Sequence, residues 1–233
     1  ANSHYSAKYV KNVFADAETC VVHCPVEPRT SVRSASLRSE LGASESTVVL
    51  LMASRMEGLK GHRVLIEAVA KLPRSTDWVV WVAGGAQRDS EQSYLADLKS
   101  QCATRGVSDR VKFIGQRSDI PALMASVDLF CQPNTGPESF GVVFIESLYA
   151  GLPVVTSDFG GGAEIVTPEC GRLVPPGDAG TLADCLTALL TDESLRHRLS
   201  QAGPVRAAQL CDPERQVRAI SDAVRTITTK AAV

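Results

Sequence analysis

Short unbroken apolar runs, each followed by a stretch with helical spacing, recur along most of this chain, and that alternation fixes the class of fold it can adopt. A strand covered on both faces loses the inward–outward alternation of an exposed sheet and reads as continuously apolar. Runs of this kind occur at 19–23, 48–53, 78–83, 111–114, 129–132, 153–156 and 172–174. Between them, helical patterns fall at 34–41, 61–72, 90–105, 120–126, 139–150 and 181–190; in the second of these Val64, Leu65, Ala68, Val69 and Leu72 form one apolar stripe. Strand and helix in strict succession predict an α/β domain, a doubly wound parallel sheet of Rossmann-like type. Such a sheet takes its ligand outside the carboxyl ends of the strands. Beyond residue 190 the pattern is purely helical, at 193–201 and 214–228, so residues 1–190 are expected to form the domain and 191–233 a helical tail packed on it.

Composition narrows the function classes. A formal charge of −2 with no basic tract offers no nucleic-acid surface. No apolar run approaches the ~20 residues a membrane-spanning helix needs, and no signal-peptide pattern opens the chain. The seven cysteines are odd in number and mostly embedded in apolar runs, which reads as reduced thiols of a cytoplasmic protein. Cys20, His23 and Cys24 come nearest to a metal-ligand cluster, but one pair without a second makes a weak zinc site, and no metal is expected.

The residues with chemistry to offer sit at the predicted strand ends. Glu146 lies within Val142-Val143-Phe144-Ile145-Glu146-Ser147-Leu148-Tyr149-Ala150, where burial is expected and an unpaired carboxylate would cost several kcal/mol. Glu138 stands upstream in a Gly-Pro loop, just before a helix predicted to open at 139. On that reading the two carboxylates lie ~12 Å apart along the axis and within ~80° of one side, in reach of one elongated ligand. Alternatively, Glu146 is a structural acid satisfied by a neighbouring arginine or amide. The loop after the second run carries Arg55 and Lys60 just ahead of a helix, an arrangement suited to an anion; both can equally be solvated charges. Gly84-Gly85, the amides near Ser139, Phe140 and Gly141, and Gly160-Gly161-Gly162 add further glycine-rich or helix-opening mouths. Together they suit a pyrophosphate-bearing ligand better than a lone phosphate. His62 is read as a residue that caps the helix start or is solvated.

In order, Ser54-Arg55 with Lys60-Gly61, Val111-Lys112-Phe113-Ile114-Gly115, Asp128-Leu129-Phe130, Glu138-Ser139-Phe140-Gly141 with Glu146 through Val155, Gly161-Gly162-Ala163-Glu164-Ile165-Val166 and Gly171 through Asp178 resemble the nucleotide-sugar-binding domain of the group 1 (family 4) glycosyltransferases. The resemblance runs from about Asn2 to the terminal helices. It implies the carboxy-terminal half of a GT-B fold, with retention of anomeric configuration and no metal or other cofactor. Position by position, it implies that Arg55 and Lys60 hold the donor diphosphate and that Glu146 takes the ribose hydroxyls. Glu138 would lie beside the transferred sugar, with Ser139, Phe140, Gly141 and Val142 facing sugar and phosphate through their backbone. Gly84, Gly115 and Gln116 would border the nucleotide. Side chains near 84–88 and 134–140 would select the sugar. The sequence departs from the family pattern at Ser54, commonly Gly, and at Tyr149, commonly small.

The family's amino-terminal acceptor domain is expected to lie outside this chain, which begins at Ala1, so the chain is read as a donor-binding half, inactive alone. The implied partners are a nucleotide-sugar donor (a UDP-sugar first, GDP-mannose second), a glycan or lipid-linked acceptor, and the missing domain, through which peripheral membrane association is possible. Two other readings stand beside this one: a non-catalytic nucleotide-sugar-binding module, and a sugar-nucleotide 2-epimerase, to which four scattered histidines lend little.

Overall fold

The computed structural model describes residues 1–16 and 18–231. Six strands form one parallel sheet: β1 (Val48–Ala53), β2 (Trp78–Ala83), β3 (Val111–Gly115), β4 (Leu129–Gln132), β5 (Val154–Ser157) and β6 (Gly171–Val174). Their order across the sheet is β3-β2-β1-β4-β5-β6. β1 pairs with β2 along its whole length, from Val48 opposite Trp78 to Ala53 opposite Ala83, but with β4 only at Leu50–Leu129 and Leu51–Phe130. Winding reverses between β1 and β4, and an open α/β sheet takes its ligand at the carboxyl ends of the strands beside such a switch point.

Ten helices accompany the strands among the described residues: α1 (His4–Val13), α2 (Ala35–Glu40), α3 (His62–Val69), α4 (Asp89–Thr104), α5 (Ile120–Ala125), α6 (Val142–Tyr149), α7 (Gly162–Ile165), α8 (Ala179–Thr191), α9 (Glu193–Cys211) and α10 (Pro213–Ala231). Alternate residues of β1 feed two cores: Leu50 and Met52 meet Leu65, Leu98 and Leu182 from α3, α4 and α8. Val49 and Leu51 meet Leu123, Phe144, Ile165 and Ala207 from α5, α6, α7 and α9. The continuously apolar strands therefore follow from two covered faces. α9 lies against α6 at Gly203, where any Cβ would stand 2.8 Å from the Leu148 carbonyl. No helix among the described residues is long and apolar enough to cross a membrane.

At the amino ends of the strands, Arg38 of α2 is fully buried. It donates to the Ser126 and Ser44 carbonyls at 2.8 and 2.7 Å and lies 3.4 Å from Asp128, whose carboxylate also accepts the Val49 amide at 2.7 Å. These bonds satisfy the buried guanidinium.

Three expectations from sequence are corrected. Residues 19–23 do not form a strand: Val22 N bonds the Ala1 carbonyl and Val26 N the Cys211 carbonyl, so this run has no strand neighbour in the sheet. The helix expected from 139 opens only at Val142, because Gly141 takes φ 101°, a left-handed conformation that breaks the path back to Ser139. The angular argument linking Glu138 to Glu146 along one helix therefore does not apply. The helix expected at 193–201 runs on to Cys211 through an internal Pro204.

Candidate functional site

The loops that leave β1 and β4 are tied together, and this tie builds the site. Ser54 N donates to the Ala83 carbonyl at 3.0 Å, and a Cβ on Gly84 would meet the Ser54 carbonyl at 2.2 Å, so the loop starts hard against β2. After a 3₁₀ turn over Gly58–Lys60 the chain enters α3 at Gly61, whose φ is 85° and whose Cβ, if present, would stand 1.8 Å from the Pro133 carbonyl. Thr135 closes the contact, its amide bonding Leu59 O at 2.9 Å and its hydroxyl Gly58 O at 3.1 Å. Lys60 is thereby brought to Glu138: Nζ and Oε2 are 2.6 Å apart, with each side chain 17% exposed. Arg55, 73% exposed, pairs with Glu57 at 2.6 Å. Each cation thus has a carboxylate for a neighbour, and an entering diphosphate would compete with that carboxylate for it.

Two hollows share the wall of Ala53, Ser54, Arg55 and Val143. One, of about 430 Å³, is also bordered by Gly84, Gly85, Gln116 and Glu146. The other, of about 310 Å³, takes in Lys60, Glu138, Ser139, Phe140, Gly141 and Val142. The structure therefore brings ten of the eleven sequence-derived site residues to one composite cleft. Gly115, at the end of β3 with φ 71°, lies apart in an outer hollow of about 490 Å³ that Gly84 and Gln116 also border. Glu146 is partly exposed at the cleft wall and not enclosed in the core as its apolar neighbours suggested. Burial raises its pKa above the ordinary carboxylate value, and the positive charge of Arg29 opposes that rise.

The loop 138–141 is held from behind. Gly161 N donates to the Glu138 carbonyl at 2.8 Å, and Cβ atoms on Gly160 and Gly161 would collide with Glu138 and Phe140 backbone. The Gly160–Gly162 mouth thus serves close packing on this loop. The Phe140 ring is buried and stacks on His23 at 5.1 Å with 18° between planes, so Phe140 offers the cleft its backbone, not its ring.

His62 is neither solvated nor free: it is 1% exposed, lies edge-on to Tyr94 at 5.7 Å, and has Nε2 3.2 Å from Ser54 Oγ. Burial, with the Lys60 charge acting in the same sense, pushes its pKa down to about 4. The Ser54 hydroxyl, where the family pattern commonly has glycine, thus acquires a partner. Glu57 and Arg117 also border the hollow of about 430 Å³ and were missed from sequence; Gln87 and Arg88 border it too, and sequence had named them only as part of the 84–88 segment. The available signal was their place a few residues past the ends of β1, β2 and β3. All seven cysteines are free, and His23, engaged by Phe140 and by the Asn2 carbonyl at 3.1 Å, belongs to no metal cluster among the described residues.

Comparison with known proteins gives the family and the fold of the chain. The family described as "Glycosyl transferases group 1" matches residues 34–206. A phosphatidyl-myo-inositol mannosyltransferase of Mycobacterium leprae is 39% identical over 158 residues, covering 66% of this chain and 40% of that protein. The lipopolysaccharide core biosynthesis mannosyltransferase LpsB of Rhizobium meliloti is 30% identical over 72% of this chain and 48% of its own length. The chain thus spans less than half of each of these curated relatives. Among solved structures, Anabaena Alr3699/HepE in complex with UDP and glucose superposes with a TM-score of 0.86 at 30% identity, over 97% of this chain and 62% of that one. The site lies inside the matched span, and the chain belongs to the group 1 glycosyl transferases.

Proposed function

We propose that this chain is the donor-binding half of a retaining, metal-independent glycosyltransferase that moves a sugar from a nucleoside diphosphate to a glycan or lipid-linked acceptor. The observation that carries the reading is the convergence of Arg55, Lys60, Glu138 and Glu146 on adjoining hollows at the switch point of the sheet. In the reaction, the bond between the anomeric carbon and the β-phosphate oxygen breaks and its electron pair leaves with the nucleoside diphosphate. The acceptor oxygen bonds the same carbon, and its proton passes to the released diphosphate. Charge grows on the leaving group, and Arg55, Lys60 and the free amides opening α6 stand where they would stabilise it. Glu146 would accept hydrogen bonds from the ribose diol, since one ionised carboxylate can take two donors. Glu138, beside Lys60, would face the transferred sugar.

A UDP-sugar donor is supported by the UDP-bound HepE neighbour. GDP-mannose is supported by the mannosyltransferase relatives, one of them named as GDP-mannose-dependent. Calorimetric titration with UDP, GDP and their sugar conjugates distinguishes the two. Lys60→Ala is expected to weaken the preferred nucleotide by about 10- to 100-fold, the ~1.5–3 kcal/mol of a hydrogen bond to a charged group. No binding of either nucleotide at millimolar concentration, or full affinity in Lys60→Ala, would refute the assignment.

A further inference from the structure

The loop carrying Glu138 has no regular structure from Pro137 to Gly141, so neighbours must impose its shape. Some of the strongest contacts come from residues more than a hundred positions earlier. The Ser139 carbonyl accepts the hydroxyls of Ser3 and of Ser6, the latter at 3.2 Å. The His23 ring stacks on Phe140 and donates from Nδ1 to the Asn2 carbonyl, which fixes the ring plane. Tyr5 packs edge-on against Phe159 at 5.7 Å, next to the glycines that back Glu138.

α1 itself is anchored in an unusual way. The first turn of a helix has free N–H groups and favours negative charge, yet α1 has no acidic residue there. Glu164 of α7 supplies one from across the fold: its two carboxylate oxygens accept the His4 amide at 2.8 Å and the Tyr5 amide at 2.5 Å. Arg206 of α9 in turn donates to the Glu164 and Ile165 carbonyls at 2.7 and 3.0 Å, seating α7. A chain of bonds thus runs from α9 through Glu164 to α1, and from Ser3, Ser6 and His23 to the loop of Glu138.

We infer that Glu164 and His23 are positioning residues: they strap α1 and the extended segment before Cys24 over the 138–141 loop and set it for the sugar of the donor. Neither touches the diphosphate clamp of Arg55 and Lys60. Loss of the strap therefore costs the sugar conjugate more than the free nucleotide, whose diphosphate keeps Arg55 and Lys60 even where the amides opening α6 shift. The sugar half of this inference rests on the proposed donor; the strap itself does not.

The test uses the whole chain and two variant pairs, Glu164→Ala with the milder Glu164→Gln, and His23→Ala with His23→Phe, which keeps the stack. Calorimetry compares UDP with UDP-glucose and GDP with GDP-mannose. Glu164→Ala and His23→Ala should hold the free nucleotide within about twofold of the parent and lose about fivefold or more for the sugar conjugate, with His23→Phe recovering most of it. Equal weakening of both ligands, or an unchanged sugar conjugate in folded variants, overturns the inference. Hydrogen exchange read by mass spectrometry decides the strap independently of any ligand. Faster exchange over residues 138–144 in Glu164→Ala, with α4 unchanged, supports it, and unchanged exchange there refutes it. Should the parent chain bind no nucleotide, the donor reading fails while the exchange result still decides the strap.

Discussion

Glu146 is held at the cleft wall under two opposed demands, since the ribose contact proposed for it would need its ionised form and its surroundings disfavour that form. Burial raises its pKa in the folded chain. Between the ordinary and the raised value the folded state binds the proton more readily than the unfolded one, so stability falls as pH rises through that window. Glu146→Gln removes the charge and should raise the melting temperature at neutral pH while weakening nucleotide binding. Scanning calorimetry at pH 7 beside a nucleotide titration checks both signs, and a variant that loses stability there would contradict the account. His62 carries the opposite linkage. Its pKa falls from 6.5 to about 4, so the neutral buried ring contributes stability that is complete above pH 6.5 and is lost as pH falls toward 4. A tenfold change in proton affinity is worth about 1.4 kcal/mol, so the whole span amounts to about 3 kcal/mol. Urea unfolding between pH 7 and 4 should show this loss, and His62→Phe should flatten that part of the profile.

At the scale of elements, the β1 loop reaches the β4 loop because Gly61 lets the chain turn left-handed beneath Pro133. Gly61→Ala combines a positive φ with a Cβ in a backbone oxygen, so it should destabilise the fold by several kcal/mol and separate Lys60 from Glu138. Denaturant unfolding together with nucleotide titration would register both; an unchanged midpoint would mean that the turn relaxes freely. This loop was legible in sequence because glycine and cations follow an apolar run. The six strands were legible from their apolar runs: β1 and β2 are apolar throughout, and the polar residues of the others, such as Lys112 and Arg172 on the edge strands and Gln132 and Ser157 at strand ends, leave those runs recognisable. α1 was not legible, since His4–Val13 mixes tyrosines, lysines and small residues and owes its place to Ser3 and to the distant Glu164. Residues 19–23 have a strand's composition without a strand neighbour, and composition cannot report the neighbour. Gly141 hid the true start of α6, because a glycine among apolar residues does not announce its φ. Arg88 and Arg117 sit where a strand-end rule could have found them, each between a strand-end glycine and the next helix, but neither belongs to the motifs that carry the resemblance, as Arg55 and Lys60 do.

For the molecule as a whole, the seam between β1 and β4 is the feature a ligand would act on. Two residue pairs join these strands, against six for β1 and β2, while the loops that would grip a nucleotide diphosphate spring from both sides of the seam. A ligand held by Arg55 and Lys60 on the β1 side and by the α6 amides and Glu146 on the β4 side therefore bridges the two halves of the sheet. A ligand that binds only the folded chain at about a hundred times its dissociation constant adds ~2.7 kcal/mol. At ~2–4 °C per kcal/mol for a domain of this size, the melting temperature should rise by roughly 5–10 °C. Thermal scans with UDP and with GDP measure this, and the nucleotide giving the larger shift at equal concentration identifies the preferred base. Lys60→Ala should lose most of the shift, because the diphosphate then has no ammonium on the β1 side. A shift of equal size in that variant would place the nucleotide away from the seam, on a surface that joins neither pair of loops.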